Sequence, residues 1–369
     1  MSASGASAGL AAYRPELRPR VLLSDPLLDG AATVHLIKDT ESGNSFKVGA
    51  KEHFLIARMD GQRSLAEIGE EYAGEYGRRL GDAHWQQILT MLGTKGLLAG
   101  TPVQAPPVTP PEPRTLLRGT LPLVADADAS TARLHRVFGF LLAPWAMVPL
   151  LALVVAMEVV VVARSGELLI AVRELFTNPV LLTGTAILLW LSTALHELAH
   201  GVVARHYGGQ VAEIGLRWRL PAVIMYCTVD NYLHLGSRRH RIATAVAGAV
   251  MNLLFLLPFC ALWLFAPLDD ATHQALAALL LLGSVQAFAM LVPLPPLDGY
   301  KIASQLAGAT GLAASAGGYL RLALRRSPEA AAYPRRARIA YSAYVLGTVL
   351  VLAAVVAAAV AGAHHLLTA

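Results

Sequence analysis

The sequence has few charged residues and almost no cysteine. Only 15% of its 369 residues are charged, whereas soluble domains average about 25%, and 55% are hydrophobic. This composition argues against a wholly soluble, disordered or fibrous protein. The two cysteines are Cys227 and Cys260, and the second lies within an apolar run, which argues against a disulfide framework. The modest net charge of +5 comes mainly from arginines beside apolar runs, so we expect no nucleic-acid partner.

Composition divides most of the chain into four segments. Residues 1–20 are rich in Ala, Ser and Gly and predict a flexible N-terminus. Residues 21–100 have the mixed pattern of a small α+β domain. Prolines concentrate in residues 101–125, which predicts an extended linker. Residues 137–369 are predominantly apolar and predict a membrane domain.

The pattern within residues 21–100 predicts two strands followed by helices. The strand candidates are Thr33–Lys38 and Ser45–Val48, on either side of a polar turn. One helix begins at Ser64, with Glu67 three residues later as in a capping box. Another begins after Asp82 and repeats apolar residues at helical spacing.

Five apolar runs lie in the second half of the chain. A membrane helix needs about 20 predominantly apolar residues, and the second run reaches that length only by including the polar residues after Leu195. The fold class is therefore mainly α: a polytopic membrane protein with about five transmembrane helices and a small α+β N-terminal domain. The runs are Val137–Ala163, Pro179–Leu195, Ile242–Leu268, Gln274–Pro296 and Ile339–Gly362.

The distribution of basic residues predicts the orientation in the membrane. Arginines concentrate before the first run, between the second and third runs, and after the fourth. Five spans place all three basic regions on one side, and basic loops favour the cytoplasm. We therefore expect a multi-pass protein of the cell (inner or cytoplasmic) membrane with a cytoplasmic N-terminal domain. Nothing in the sequence specifies an oligomeric state.

The segment His196-Glu197-Leu198-Ala199-His200 carries the strongest chemical signal. Its two histidines are four residues apart, so they lie on one helix face and can bind a single zinc ion. Glu197 lies beside them, where a carboxylate can act as the general base of a metalloprotease. Since polar side chains within a membrane span are costly, their presence predicts a function.

Asp298 is the best candidate for a third ligand. It follows the proline-rich end of the fourth apolar run and precedes Gly299, which permits a tight turn. The predicted topology puts it on the same side of the membrane as His196, which lies 17 residues beyond Pro179. At about 1.5 Å per residue the metal lies roughly 25 Å into a core about 30 Å thick.

Three further residues are candidates for substrate binding. Asn252 lies within the third apolar run, where an amide needs a partner. That partner is either a neighbouring helix or the substrate backbone or oxyanion. Leu216 and Trp218 lie in a partly alternating segment, Val211–Leu220. This segment is either an edge strand that binds an extended substrate by strand addition or a simple amphipathic hairpin.

Three motifs together resemble the site-2 protease family of intramembrane zinc metalloproteases, over roughly residues 137–365. They are the His196–His200 segment, the Ala247–Asn252 segment and the Pro293–Gly299 turn. The resemblance implies His196, His200 and Asp298 as zinc ligands and Glu197 as the base. The loop Pro221–Arg241 is similar to that of the peptide zinc metalloprotease subgroup. Two positions differ from the family pattern, which usually has Asn at the position of Met290 and often Pro at that of Ala249.

The N-terminal domain resembles the PqqD-like peptide-binding winged-helix fold. The resemblance rests on Phe54, Asp60-Gly61, Ser64-Leu65, Glu67-Ile68 and the Gly96-Leu97-Leu98 end. The alternative is a DNA-binding winged helix, but the helix after Asp82 is not basic, which favours peptide binding.

These expectations combine into an intramembrane zinc metalloendopeptidase with one Zn²⁺ per chain. Its substrate would be a membrane-associated or small secreted peptide, processed during maturation or export. One alternative is a non-hydrolytic, zinc-containing peptide-binding or export factor. Another is regulated intramembrane proteolysis of a membrane-anchored transcription regulator.

Overall fold

In the computed structural model of this chain, the described residues are 9–102, 115–220 and 222–368. They fold into two compact units. The first unit contains the N-terminal residues together with 308–311 and 321–337. The second unit contains the remaining described residues, including every candidate site residue.

The first unit begins with an antiparallel sheet. Its strands are β1 (Val21–Leu23), β2 (Leu27–Asp29), β3 (Ala32–Asp39) and β4 (Ser45–Gly49). The long strand β3 pairs with each of the other three, which confirms the two predicted strands. On its other edge, β2 forms a parallel bridge between Leu28 and Ala309.

Three helices cover this sheet: α1 (Ala50–Ile56), α2 (Leu65–Tyr76) and α3 (Asp82–Thr94). The predicted capping box is present, because Ser64 Oγ accepts the Glu67 N–H and Glu67 Oε2 accepts the Ser64 N–H. The helices bury one apolar stripe each against the sheet. The core of this unit includes Ile37, Ile56, Ile68, Trp85, Leu92 and Leu97.

The second half of the segment predicted to be flexible is hydrogen-bonded to the rest of the first unit. The Leu17 N–H donates to the Met59 carbonyl at 3.1 Å, and the Arg18 N–H donates to the Leu97 carbonyl at 3.0 Å. The small residues that suggested mobility end at Ala12, whereas Leu17 packs against the core of the unit. Residues 1–8 lie outside the described part of the chain.

The second unit contains a three-stranded antiparallel sheet in the order β5-β6-β7. Its strands are β5 (Arg118–Pro122), β6 (Val211–Arg219) and β7 (Ala222–Val229). Strand β5 lies within the predicted linker, whose residues 103–114 are outside the described residues. Composition indicated an extended chain there, but the pairing of β5 with β6 is a long-range contact that composition does not reveal. Helix α4 (Ala127–Phe138) follows and ends in a 3₁₀ turn, Gly139–Leu142.

Five helices of the described chain are long and apolar enough to cross a membrane, which confirms the predicted number. They are α5 (Pro144–Ala163), α7 (Pro179–His206), α8 (Arg238–Phe265), α9 (Asp270–Met290) and α12 (Arg335–Thr368). The shorter helices are α6 (Ser165–Leu175), α10 (Asp298–Ala307) and α11 (Leu312–Leu324).

Packing in the second unit centres on α6, α8 and α9. Leu168 of α6, Leu256 of α8 and Leu280 of α9 are completely buried in one apolar cluster. Gly283 lets α9 approach α8, because a methyl group there would collide with Leu256. In contrast, α12 exposes valines and leucines along most of its length, a surface typical of a helix that faces lipid.

Candidate metal centre

Helix α7 brings two imidazoles to one buried face. It begins at Pro179, with the Asn178 side chain accepting the first free backbone N–H groups, and continues without interruption to His206. His196 and His200 are therefore one turn apart, and they are only 3% and 5% exposed. The polar residues that lengthen the second apolar run belong to this same helix.

Asp298 is the first residue of α10 and lies against the two histidines. The turn before it, Val292–Leu297, contains three prolines, which prevent α9 from continuing. Gly299 has no room for a side chain, because a Cβ there would overlap the Leu291 and Val292 carbonyl oxygens. The tight turn that Gly299 permits is therefore present, and Asp298, which is 5% exposed, lies beside α7.

The three side chains converge on one point. Asp298 Oδ2 is 2.8 Å from His196 Nε2 and 3.1 Å from His200 Nε2, and the two Nε2 atoms are 3.2 Å apart. Ligand atoms about 2.0 Å from a tetrahedral zinc are about 3.3 Å from one another. The three atoms are thus spaced as ligands of a single ion, and His196, His200 and Asp298 together could hold a metal.

Helix α8 fixes the other nitrogen of each imidazole. His200 Nδ1 lies 2.6 Å from the Thr244 carbonyl oxygen, which can only accept a hydrogen bond. Nδ1 of His200 is therefore the protonated nitrogen, and its Nε2 lone pair is available to a metal. His196 Nδ1 lies 3.2 Å from the Asn252 amide nitrogen, which can only donate a hydrogen bond. A metal at His196 Nε2 requires the Asn252 amide to turn, so that its oxygen accepts from the Nδ1–H. Metal-ligating histidines in proteins are oriented by partners of this kind.

Asn252 therefore contacts the ring of the candidate ligand His196. It is 1% exposed, and the other end of its amide accepts a hydrogen bond from Ser192 Oγ at 3.0 Å. Both contacts are to α7, so the interhelical role is the one that the geometry favours. A contact to substrate or to an oxyanion would need an amide group that α7 already engages.

The charges around Asp298 favour its ionised form. The nearby ammonium of Lys301 stabilises the ionised form of the buried Asp298 carboxyl. Lys301 Nζ lies 2.8 Å from Asp298 Oδ1. The sequence interpretation missed Lys301, although its position three residues after Asp298 on a helix could have indicated it.

The Glu197 carboxylate contacts strand β7. Its Oε2 accepts a hydrogen bond from the Cys227 backbone N–H at 3.2 Å. Burial and the charge of Glu197 raise the pKa of the Cys227 thiol to about 12, so the thiol stays protonated at neutral pH. Cys227 is accordingly a neutral neighbour of the carboxylate.

Of the two alternatives for Val211–Leu220, the edge strand is wrong, whereas the hairpin agrees with the antiparallel pairing of β6 and β7. Strand β6 is central: Leu216 pairs with Leu121 of β5 on one side and with Met225 of β7 on the other. Trp218 lies between the same strands, and its indole N–H donates to the Thr115 carbonyl at 3.2 Å. Neither Leu216 nor Trp218 can bind a substrate by strand addition, because their backbone groups belong to the sheet. The alternation in the sequence indicated a strand but not its neighbours.

The strand edge beside the site belongs to β7 instead. The Trp190 indole N–H donates to the Val223 carbonyl at 2.8 Å, and Cys227 N–H donates to Glu197. Strand β7 therefore follows α7 from Trp190 to Glu197, and its outer edge ends beside the carboxylate. The sequence does not indicate that β7 lies along α7, because this placement depends on contacts between distant segments.

Comparison with protein-family models, with curated proteins and with solved structures gives no match for this chain. The chemistry of the site is therefore inferred from its own residues: two imidazoles and one carboxylate at ligand spacing, with Glu197 next to His196 in the sequence. This donor set is one that catalytic zinc sites use.

We expect Gly248→Ala to weaken metal binding by at least about tenfold. Gly248 of α8 packs directly against the His196 ring, and an added methyl group would overlap that ring and displace it from Asp298. The measurement is the bound metal per chain and its affinity in competition with a chelator.

Gly184→Ala on α7 is the matched control, because no atom lies within 4 Å of the position that its Cβ would take. Equal metal affinity in both variants would show that the His196 ring does not contribute to the site.

Proposed function

We propose that this chain is a membrane-embedded, zinc-dependent endopeptidase. The observation that carries the proposal is the convergence of His196 Nε2, His200 Nε2 and Asp298 Oδ2 inside a bundle of membrane-length helices, with Glu197 one residue from a ligand. When zinc is bound, it lowers the pKa of water toward about 7 and polarises a carbonyl group. The resemblance of the three motifs to site-2 proteases supports the same activity.

Glu197 is the residue that we assign to proton transfer. Its Oε2 is held by the Cys227 N–H, so Oε1 is the atom that takes a proton from the attacking water. The same carboxyl then donates the proton to the amine that leaves when the peptide bond breaks. His200 and His196 would act as ligands through Nε2, and Thr244 and Asn252 orient their rings from the Nδ1 side.

Strand β7 is the surface that we assign to the substrate. Alternate residues of a strand direct their backbone groups to the same side. The backbone N–H and C=O of Met225 therefore point away from β6, as the Val223 carbonyl and the Cys227 N–H do. An extended peptide that pairs with Met225 would lie parallel to this edge and pass Glu197. Strand addition needs free backbone N–H and C=O groups, which a helical substrate does not offer. We therefore expect cleavage where the substrate is locally unfolded.

The N-terminal unit supplies a second surface for peptides. Strand β4 is the outer strand of its sheet, and a cavity of about 330 Å³ lies between β4 and α3. The cavity is lined mainly by apolar side chains, which suits an apolar peptide segment. Its lining includes Phe46, Val48, Met91, Leu97, Lys47 and Lys95. Together with the PqqD-like resemblance, this supports capture of a peptide leader or tail.

The arginine-rich loops support a cytoplasmic location for the N-terminal unit in a cell membrane. The metal centre would then lie within the bilayer near the cytoplasmic face. Protease treatment of inside-out vesicles tests this orientation, because only a cytoplasmic N-terminal unit would be cleaved from outside such vesicles.

Substitution Glu197→Gln should lower peptide hydrolysis by about 100- to 10,000-fold while zinc stays bound, because the ligands are unchanged and only the base is lost. The measurement is cleavage of peptides by the purified full chain in detergent or vesicles, together with its zinc content. Equal cleavage by both proteins would rule out hydrolysis at this site.

Peptides trapped by the Glu197→Gln protein distinguish the alternatives. Secreted peptide precursors indicate maturation or export, whereas a membrane-anchored regulator indicates signalling by intramembrane proteolysis. Trapping of peptides by a parent protein that cleaves none of them would favour the non-hydrolytic peptide-binding or export factor.

Substitution Met225→Pro should raise the KM for a trapped peptide, because proline removes an outward N–H from the β7 edge. Met225→Ala is the matched control, since it shortens the side chain and keeps that N–H. If both variants change KM equally, the side chain and not the strand edge binds the substrate.

Substitution Met91→Lys should weaken binding of the same peptide to the full chain without changing its zinc content, because it places a charge in the apolar cavity of the N-terminal unit. Lys51→Met, on the exposed start of α1, is a control outside the cavity lining. Unchanged peptide affinity in Met91→Lys would exclude this cavity as the capture site.

A further inference from the structure

The two oxygens of the Asp298 carboxylate have different partners. Oδ2 lies between the Nε2 atoms of His196 and His200, and Oδ1 is paired with Lys301 Nζ at 2.8 Å. The Asp298 side chain is 6% exposed, whereas that of Lys301 is 48% exposed. The lysine therefore reaches a buried oxygen from the solvent-accessible side of the site.

The shared helix keeps this pair together. Asp298 and Lys301 are three residues apart in the first turn of α10, so their side chains extend from the same face. Gly299 fixes the start of this helix against the Leu291 and Val292 carbonyls. The ammonium therefore holds the oxygen that the histidines do not contact.

An ordinary surface ion pair contributes only about 0–1 kcal/mol to stability. A contribution of that size does not explain why the Asp298–Lys301 pair lies at the candidate metal centre. The position has a chemical consequence here. A carboxylate can bind a metal through one oxygen or through both. A catalytic zinc needs three protein ligand atoms and an open position for water, so a second carboxylate oxygen would occupy the position that water requires.

We propose that Lys301 is a positioning residue that keeps Asp298 a one-oxygen ligand and so reserves a coordination position for water. This inference rests on the proposed function, since only a hydrolytic site needs that position. Lys301 does not itself contact the reacting atoms in this account. It acts through Oδ1 of Asp298. Without the lysine, Oδ1 would also bind the metal and leave no coordination position for water.

The test uses the full chain with Co²⁺ in place of zinc, because the visible absorption of Co²⁺ reports its coordination number. The variants are Lys301→Met, which has a similar length and no charge, and Lys301→Arg, which retains a donor for Oδ1. In Lys301→Met we expect Co²⁺ to remain bound, its absorptivity to fall as the coordination number rises, and hydrolysis to fall by about 10- to 100-fold. Lys301→Arg should restore the spectrum of the parent protein.

Two results would overturn the proposal. A Lys301→Met spectrum identical to that of the parent would show that Oδ1 does not coordinate when it is released. Complete loss of Co²⁺ from that variant would show that the lysine serves metal retention instead. Lys51→Met is the control for the same chemical change at an exposed lysine of the other unit. Since the spectra need no substrate, they decide the role of Lys301 even if the parent protein hydrolyses no peptide.

Discussion

The convergence of one carboxylate oxygen and two imidazole nitrogens is the interaction on which the rest of the site depends. An ionised carboxylate that is removed from water costs several kcal/mol unless donors or cations surround it. Lys301 supplies a cation to Oδ1 of Asp298, and Oδ2 faces the Nε2 atoms of His196 and His200, where a metal cation would meet the same requirement. These residues come from two helices far apart in the sequence. The fold of the second unit is therefore constrained to bring α7 and α10 together at this point.

Helix α8 is the element that makes this convergence possible. Thr244, Gly248 and Asn252 recur every four residues, so they form one stripe facing the His196 and His200 stripe of α7. Rows of residues four apart are the rows through which helices commonly pack. Along this stripe the Thr244 carbonyl orients the His200 imidazole. The absence of a side chain at Gly248 makes room for the His196 ring, and the Asn252 amide contacts that same ring.

Local patterns were sufficient to predict the five membrane-length helices, the capping box at Ser64 and the placement of His196 and His200 on one helix face, because each depends on spacing along a single helix or turn. Asp298 could be joined to the histidines only by topology and by resemblance. The central position of β6 and the contact of Glu197 with Cys227 could not be predicted, since both depend on which distant strands pair. Asn252 was identified as important, but its partner was visible only once α7 and α8 were placed.

The bridge between Leu28 and Ala309 has a consequence for biosynthesis. During translation β2 leaves the ribosome early, whereas the segment that completes its outer edge is made only after α7, α8 and α9. The first unit therefore cannot reach its final hydrogen bonding until most of the membrane-length helices have been synthesised. Until then the nascent chain carries an unpaired strand edge, which is a site where chaperones or neighbouring chains can bind.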